Sequence, residues 1–281
     1  MPAPFSLLSM VRPAAPMGIV DVGASFVGEP PLYQPLLQSG DARLVGFEPD
    51  AAACAKLGEM FGAPHRFFPY FIGDGRPGVF RETNWVATGS LFAPNPAVME
   101  KFHNLHEVAT LVAEHPVQTR RLDDIPGIGD VDFLKLDVQG AELMVLQGAE
   151  RTLRDVVMVQ VEVEFLELYA GQPLFADVDR YLRSQGFMFH TFCSTGSRCF
   201  KPLLRDGNPN IGLNQVLWSD AVYVRSWLDP ERISPAKLAN LAILLNDLSG
   251  SVDLCHLVLG FLDDATGSAH ASTYLSRLTG G

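Results

Sequence analysis

The sequence predicts a doubly wound, Rossmann-like α/β fold, and three features of its apolar segments point to it. Two short apolar runs, 17–22 and 44–47, each end at a turn with acidic residues or glycine, as buried parallel strands do at a ligand-binding edge. Segments with helical spacing separate these runs from each other and from a third apolar run at 131–137. The alternation of strand and helix predicts a right-handed parallel sheet that binds ligands at the carboxyl ends of its strands.

Length and charge limit the classes of protein to which the chain can belong. Its 281 residues suffice for one large α/β domain and a smaller appendage. The formal net charge of −11 argues against non-specific binding to nucleic acid or to an anionic membrane. The sequence has no run of about 18 apolar residues, and residues 1–16 lack the long apolar stretch of a signal peptide. We therefore expect a cytoplasmic protein with neither nucleic-acid nor membrane partners.

The turn after the first strand predicts half of a nucleoside-binding site. Gly23 allows the backbone to turn sharply and a ligand to approach without a Cβ in the way. Glu48 ends the second strand, 25 residues beyond Gly23, where a carboxylate can accept hydrogen bonds from two ribose hydroxyls. We expect Asp21, Gly23, Ala24 and Ser25 to contact one end of a cofactor and Glu48 to hold its ribose.

Two cofactors compete for such a half-site. A dinucleotide requires Gly-x-Gly-x-x-Gly, because two backbone segments must pack against a pyrophosphate. Here Gly23 and Gly28 are five residues apart, and Asp21 lies beside the turn. A carboxylate there repels phosphate but suits a cationic amino-acid ligand such as S-adenosylmethionine, which is therefore favoured. A tight turn that binds no ligand is the alternative.

Helices and strands continue the alternation after the first turn. Residues 1–16 are rich in proline and alanine and predict a loose N-terminal arm. A helix is expected after Pro30-Pro31 as far as Gly40, and another between Asp50 as N-cap and Gly62. The aromatic segment 65–72 predicts a third strand that ends at Asp74. That aspartate either reaches an adenine amino group or only stabilises the Gly-Asp-Gly turn.

Residues 76–116 are expected to be irregular and to cover the site or bind substrate, as long connections between core strands usually do. Three histidines fall in this segment: His103, His106 and His115. Their spacing, with Glu107 as the one nearby carboxylate, does not match a metal-ligand pattern, so no metal site is expected.

Two later strands carry the polar residues with the most distinctive chemistry. The first, 131–137, is followed by a helix from Gly140 and places Lys135 and Asp137 on one face. On the second, 156–165, alternation places Gln160, Glu162 and Glu164 together. Burial of these carboxylates is costly unless they are paired or functional. They form either a structural ion pair between Lys135 and Glu162, which keeps Glu162 ionised, or a polar floor under a reacting group. In the second case Asp137 is the first choice for aligning a substrate.

Several motifs resemble the FkbM family of S-adenosylmethionine-dependent methyltransferases, over roughly residues 17–195. The most specific is the Lys-x-Asp-x-x-Gly-x-Glu run from Lys135 to Glu142. The others are Asp21-Val22-Gly23-Ala24-Ser25, Phe47-Glu48-Pro49, Ser90-Leu91, Arg121-Leu122-Asp123 and Val161-Glu162-Val163. The family usually has glycine where this chain has Val27, which places Gly28 one position late.

The resemblance implies a seven-stranded class I methyltransferase sheet, S-adenosylmethionine as cofactor, and O-methylation of a sugar, a glycan or another natural product. The acceptor would then be a small molecule or a glycan. A nucleotide-sugar or NAD-dependent oxidoreductase on the same layout is the alternative enzyme. A non-catalytic interaction protein is the alternative from another class.

The last part of the chain predicts a closing pair of antiparallel strands and a helical appendage. A helix at 172–187 precedes strands at 187–192 and 215–224, with a second lid at 195–213 between them. From these patterns we expect an N-terminal arm (1–16), a methyltransferase domain (17–228) and a helical appendage (229–281). Leucines at helical spacing between Ser234 and Gly250 favour packing on the main domain, with a homodimer through the C-terminal helices as the alternative.

Overall fold

The computed structural model describes residues 5–25 and 30–280. It has a seven-stranded sheet covered by helices on both faces, and a separate two-stranded sheet above one edge. Gly28, whose role the sequence left open, lies outside the described residues.

Nine strands are present in the described part of the chain: β1 Met17–Val22, β2 Ala42–Phe47, β3 Arg66–Phe68, β4 Pro77–Thr83, β5 Leu111–Gln118, β6 Phe133–Leu136, β7 Met158–Glu164, β8 Phe187–Ser197 and β9 Val216–Arg225. The α-helices within the same residues are α1 Gln34–Gln38, α2 Ala51–Phe61, α3 Pro96–Met99, α4 Glu142–Gln147, α5 Phe175–Ser184, α6 Pro235–Asp247, α7 Val252–Thr266 and α8 His270–Thr279.

The large sheet has the strand order β3-β2-β1-β6-β7-β9-β8. The first five of these strands are parallel, and β9 runs antiparallel to both β7 and β8. Strand order reverses between β1 and β6, so the carboxyl ends of these neighbours form the crevice where open α/β sheets bind ligands. The predicted doubly wound, seven-stranded α/β fold is confirmed.

Side-chain alternation divides the core into one cluster on each face of the sheet. On one face Ile19 and Phe133 pack with α1 and with leucines of the C-terminal helices. On the other face Val20 and Leu134 pack with α4 and α5. Burial on both faces explains why β1, β2 and β6 are mostly apolar in sequence, whereas β7 alternates apolar residues with Gln160, Glu162 and Glu164.

The C-terminal helices and the N-terminal segment pack together on the first of these faces. Ser234 caps α6 by accepting the Lys237 N–H, as the sequence predicted. Residues 5–16 contact α6 through Leu7, but six of these twelve residues are exposed, so the expected loose arm stays a prediction. Leu7 is fully buried in a short 3-10 helix, and its N–H donates to Asp247 at 2.8 Å. The leucine faces of α6 and α7 are thus covered within one chain, and homodimerisation through them stays a prediction.

The segment expected to be irregular, 76–116, contains most of the two-stranded sheet. β4 and β5 pair antiparallel, with Arg81 opposite Glu114 and Phe80 opposite His115. β5 begins within the segment expected to be irregular and ends just beyond it, at Gln118. β5 is largely exposed and β4 is mostly half-buried, so they lack the apolar alternation that makes a strand visible in a sequence.

The segment between Gly73 and Arg120, which contains β4 and β5 and is called the β4–β5 excursion below, is closed at its base by main-chain hydrogen bonds. Gly73 N–H donates to the Arg120 carbonyl at 2.9 Å, and Arg120 N–H donates to the Phe71 carbonyl at 2.8 Å. The buried Thr119 hydroxyl donates to the Arg76 carbonyl at 2.6 Å and accepts from Gly75 N–H at 3.1 Å. The excursion thus leaves and rejoins the sheet at adjacent points.

Among the described residues, no helix combines the length and the apolar character that crossing a bilayer requires.

Candidate active site

A cavity of about 1150 Å³ lies at the carboxyl ends of β1, β2, β6 and β7 and extends beneath the β4–β5 excursion. Its lining includes nine of the ten predicted site residues: Asp21, Gly23, Ala24, Ser25, Glu48, Lys135, Asp137, Glu162 and Glu164. The structure thus brings together residues that are up to about 140 positions apart in the sequence. A volume of this size accommodates a cofactor together with a second molecule.

Gly23 adopts a left-handed backbone, with φ of +87°, where β1 passes into the turn. A Cβ at this position would lie 1.9 Å from the carbonyl oxygen of Asp137. Its N–H and that of Ala24 both donate to the Phe47 carbonyl, at 3.1 and 3.0 Å. Glycine is therefore required to hold the ends of β1, β2 and β6 against one another, as well as for the predicted approach of a ligand.

Asp21 is buried, and both of its carboxylate oxygens already have protein partners. The Tyr33 hydroxyl donates to Oδ2 at 2.5 Å, and Lys135 Nζ lies 3.3 Å from Oδ1. Asp21 therefore fixes Lys135 and Tyr33 at the cavity wall, while direct contact with a cofactor stays a prediction.

Glu48 extends from the tip of β2 into the cavity, half-buried, and accepts the Asp50 N–H at 2.9 Å. Burial raises the pKa of Glu48 above its ordinary value, opposed by this hydrogen bond and reinforced by the charge of Asp50. A half-buried carboxylate with free acceptor capacity at this place fits the ribose of a nucleoside cofactor.

Asp74 is the exception among the predicted site residues, because it does not line the cavity. Its carboxylate accepts the Arg76 N–H at 3.0 Å and lies 3.6 Å from the Arg76 guanidinium. The predicted contact with adenine is not supported, and Asp74 has the alternative role of stabilising its turn.

Lys135 forms its ion pairs with Asp21 and Asp137 instead of with Glu162. Its Nζ is 3.9 Å from the Asp137 carboxylate, and the strand register places it beside Asp21 and Gln160. Burial alone would lower the pKa of Lys135, but Asp21 and then Asp137 outweigh that effect and raise it. The predicted Lys135–Glu162 ion pair is therefore wrong, since Asp21 on the opposite neighbouring strand takes the lysine.

Glu162 is bonded to Gln139 instead. The Gln139 amide nitrogen lies 2.8 Å from Glu162 Oε2 and 2.9 Å from Asp137 Oδ1. Its amide oxygen accepts the Tyr169 hydroxyl at 3.0 Å. Gln139 was not among the predicted site residues. Its position after a strand, between Asp137 and Gly140, was the only signal, and that signal did not indicate the direction of its side chain.

Carboxyl groups are concentrated in this part of the cavity, which raises several pKa values. Burial raises the pKa of Glu162 well above its usual range, and the charges of Asp137 and Glu164 add to the shift. Burial does the same for Glu164, with contributions from Glu142 and Asp137. It raises the pKa of Glu142 to about 7, although Glu142 accepts the N–H groups of Val138 and Gly140. The prediction that Lys135 keeps Glu162 ionised is therefore also wrong.

The mouth of the cavity carries an exposed indole on a rigid turn. Trp85 lines the cavity and is 47% exposed. Its carbonyl accepts the Thr83 and Thr88 hydroxyls, each at 2.9 Å. The Asn84 side chain bonds across to the Glu107 carbonyl and the Thr110 N–H. An exposed aromatic side chain on a fixed backbone is typical of a ligand-binding surface.

His115, one of the three histidines of this segment, pairs with Glu82 at 2.8 Å on the cavity wall. Within residues 5–25 and 30–280, no group of three or more His, Cys, Asp or Glu side chains is placed to hold a metal ion.

The strand order, the glycine turn and the cavity above the β1–β6 crevice define a class I methyltransferase fold. The sequence profile of the FkbM methyltransferase domain matches residues 21–189, and the chain belongs to that family.

One curated relative is the 2-O-methyltransferase NoeI of Sinorhizobium fredii (strain NBRC 101917 / NGR234), which is 34% identical over 154 residues. That alignment covers 49% of this chain and 60% of the relative, less than two thirds of its length.

Two solved structures are similar to the chain at low identity. One is magnesium protoporphyrin IX methyltransferase (ChlM) from Synechocystis PCC 6803 with bound SAM, at 13% identity and a TM-score of 0.37, covering 75% of this chain and 71% of that one. The other is the methyltransferase FkbM from Methylobacillus flagellatus KT, at 16% identity and a TM-score of 0.40, covering 74% and 43%.

Proposed function

We propose that this protein is an S-adenosylmethionine-dependent O-methyltransferase that acts on a hydroxyl group of a sugar, a glycan or another small natural product. The observation that carries the proposal is one cavity whose lining includes Gly23 and Glu48 together with Asp137 and Glu162. The first pair fits a nucleoside cofactor, and the second fits a group that loses a proton. Membership of the FkbM family and the similarity to an O-methyltransferase support the same reaction.

The cofactor end of the cavity fits S-adenosylmethionine better than a dinucleotide. The Gly23 turn allows close approach, and Glu48 offers acceptors for ribose hydroxyls. Carboxylates outnumber cations along the described walls of the cavity, which suits a cationic cofactor and disfavours a pyrophosphate. When bound, S-adenosylmethionine supplies an electrophilic methyl group on a positively charged sulfur.

The protein has two tasks in such a reaction, namely alignment of the acceptor oxygen and removal of its proton. As the O–C bond forms and the C–S bond breaks, the hydroxyl proton passes to a carboxylate of the site. Asp137 borders the open cavity with 40% of its side chain exposed and is the group that orients the hydroxyl. Glu162 is the group that accepts the proton, because burial raises its pKa well above the usual range. The Gln139 N–H opposes that shift by stabilising the ionised form.

The acceptor occupies the part of the cavity between these carboxylates and Trp85. A sugar ring presents C–H groups that pack on an indole and hydroxyls that bond to carboxylates, and this wall supplies both. The 2-O-methyltransferase relative is consistent with a hydroxyl acceptor, whereas the identity of the acceptor here is left to experiment.

A direct test combines calorimetry with mass spectrometry. We expect S-adenosylmethionine and its demethylated product to bind and NAD⁺ not to bind. In a panel of sugars, one acceptor should gain about 14 Da, the mass of one methylene, when the enzyme and cofactor are present. Binding of NAD⁺ alone would contradict the proposal and favour the oxidoreductase alternative.

The role of Asp137 is tested by Asp137→Asn, which keeps the size of the side chain and removes its charge. Turnover should fall by about 10²-fold or more, while cofactor affinity stays within a few-fold. Asp124→Asn, at an exposed aspartate outside the cavity lining, is the matched control. Unchanged turnover in the Asp137 variant would remove this residue from the mechanism.

A further inference from the structure

We propose that Gln139 is the positioning residue of this site, and that its side-chain amide joins Asp137 and Glu162 into one functional pair. The inference rests on the proposed function, because that function gives Asp137 and Glu162 their roles toward the acceptor hydroxyl. The geometry that supports it is independent of the cofactor and of the acceptor.

The first step is that one amide group bridges two strands. Asp137 follows β6 and Glu162 lies on β7, and Gln139 Nε2 is within 2.9 Å of a carboxylate oxygen of each. A primary amide carries two N–H groups, so each carboxylate receives one of them. The separation of the two carboxylates is thereby set by the width of one amide group.

The second step is that the orientation of this amide is fixed. Tyr169 is buried, and its hydroxyl lies 3.0 Å from Gln139 Oε1 and 3.0 Å from the Thr88 carbonyl. If the amide were flipped, its oxygen would face two carboxylates and lose both hydrogen bonds. The two carboxylates thus select the donor side of the amide, and the Tyr169 hydroxyl supports its opposite side.

The backbone of Gln139 is held in an uncommon conformation. Gln139 has φ of +56°, in the left-handed region that residues other than glycine seldom adopt. Its carbonyl accepts the Ser90 hydroxyl at 2.5 Å, and the next residue, Gly140, is also left-handed. A non-glycine residue in this conformation has an energetic cost. That cost is offset by contacts that direct the side chain between the two carboxylates.

The charged surroundings show why the bridge matters. Asp137 and Glu162 repel each other in a partly buried space, so without a donor between them one would retain a proton. The titratable and charged groups that face the pair come from five strands or helices and one loop: Asp21 on β1, Lys135 on β6, Glu142 on α4, Glu164 on β7, Asp220 on β9 and Tyr169 after β7. With Lys135 engaged by Asp21, Gln139 is the donor shared by both carboxylates.

The test is a carboxyl titration by ¹³C NMR of the full chain labelled at Asp and Glu. Asp137→Asn and Glu162→Gln spectra assign the two signals. Gln139→Leu keeps the volume and the backbone strain but removes both N–H groups. We expect the apparent pKa of Glu162 to rise by about one unit or more, a tenfold change in proton affinity. Tyr169→Phe should shift it in the same direction by less.

Gln147→Leu, the same substitution at an exposed position at the end of α4, is the matched control and should leave the titration unchanged. An unchanged midpoint in folded Gln139→Leu would overturn the inference. If that variant does not fold, Tyr169→Phe decides the question by the presence or absence of the shift. Since neither cofactor nor acceptor is added, failure of the proposed function would show separately, as failure to bind S-adenosylmethionine.

Discussion

Lys237 Nζ lies 2.7 Å from Asp132 Oδ1, and this ion pair ties the first of the C-terminal helices to the start of β6. Asp132 is buried and also accepts the Asn240 amide at 2.9 Å and the Gly18 N–H at 2.9 Å. A carboxylate with three such partners anchors α6 to both β1 and β6. The anchor is at the amino ends of these strands, opposite the cavity.

Asp132→Ala should lower the free energy of unfolding by about 3 kcal/mol, because the substitution leaves a partly buried cation and a buried N–H without their acceptor. Chemical denaturation measures the effect. Asp130→Ala, two residues earlier and exposed, is the control and should change stability by less than about 0.5 kcal/mol. Equal stability of the two variants would contradict the anchoring role.

Comparing Gly23→Ala with Gly40→Ala separates the cost of backbone strain from the cost of a steric clash with the neighbouring main chain. Both glycines are left-handed, with φ of +87° and +78°, so alanine is strained equally at either position. A Cβ at Gly40 meets nothing within 4 Å, whereas at Gly23 it meets the Asp137 carbonyl. We expect Gly40→Ala to cost about 1 kcal/mol and Gly23→Ala at least about 2 kcal/mol more. Gly23→Ala should also weaken S-adenosylmethionine binding by more than tenfold, as measured by calorimetry.

Glu48→Ala should weaken S-adenosylmethionine binding by about 1.5–3 kcal/mol, the scale of hydrogen bonds to a charged group. The pKa of Glu48 is raised, so this carboxylate is protonated earlier than an ordinary glutamate as the pH is lowered. The affinity of the unmutated protein for S-adenosylmethionine should therefore begin to fall at a higher pH. The variant should lack that pH dependence. Glu59→Ala, exposed on α2, is the control. Equal affinities at every pH would disprove the ribose assignment.

Trp85→Ala should raise the half-saturating concentration of the acceptor by about tenfold, while Trp85→Phe should restore most of the affinity, because an aromatic face is retained. S-adenosylmethionine affinity should not change in either variant. Leu111→Ala removes an exposed apolar side chain at β5 outside the cavity lining and serves as the control. Steady-state kinetics with the acceptor found by mass spectrometry gives the result. A loss of cofactor affinity would instead place Trp85 in the cofactor half.

Glu142 predicts how stability depends on pH. Its pKa is about 7 in the folded protein and near 4.5 when unfolded, so between these values the folded state binds more protons. The free energy of unfolding should therefore fall as pH rises through this window. Glu142→Gln keeps an acceptor for the Val138 N–H and removes the ionisation. The difference in melting temperature, variant minus unmutated protein, should be more positive at about pH 8 than at about pH 5.5. A pH-independent difference would contradict the raised pKa.

The sequence was sufficient where burial leaves a periodic pattern. β1, β2 and β6 are mostly apolar, β7 alternates apolar and polar residues, and α2 and α6 begin at side-chain caps, Asp50 and Ser234. It was insufficient for β4, which is mostly half-buried, and for β5, which is mostly exposed and contains Pro116, a residue that argues against a strand.

Which residues line the cavity was largely predictable from the sequence, but the ion pairs and hydrogen bonds between them were not. Residues at the carboxyl ends of parallel strands must meet, which correctly placed Glu48, Lys135, Asp137 and Glu162 at one cavity. Which carboxylate pairs with Lys135 depends on register and on strand order, and Asp21 competes from the other side. The contacts of Gln139 depend on a single left-handed backbone angle that no apolar pattern encodes.

The closed base of the β4–β5 excursion has a consequence for how this enzyme can be diversified. Because Gly73 and Arg120 are hydrogen-bonded neighbours, the roughly 45 residues between them form a cassette whose two ends meet at one place on the scaffold. A cassette of different length from another family member can be grafted between these positions without altering the distance that the sheet has to span. Such chimaeras should retain the affinity for S-adenosylmethionine of the parent and acquire the acceptor preference of the donor.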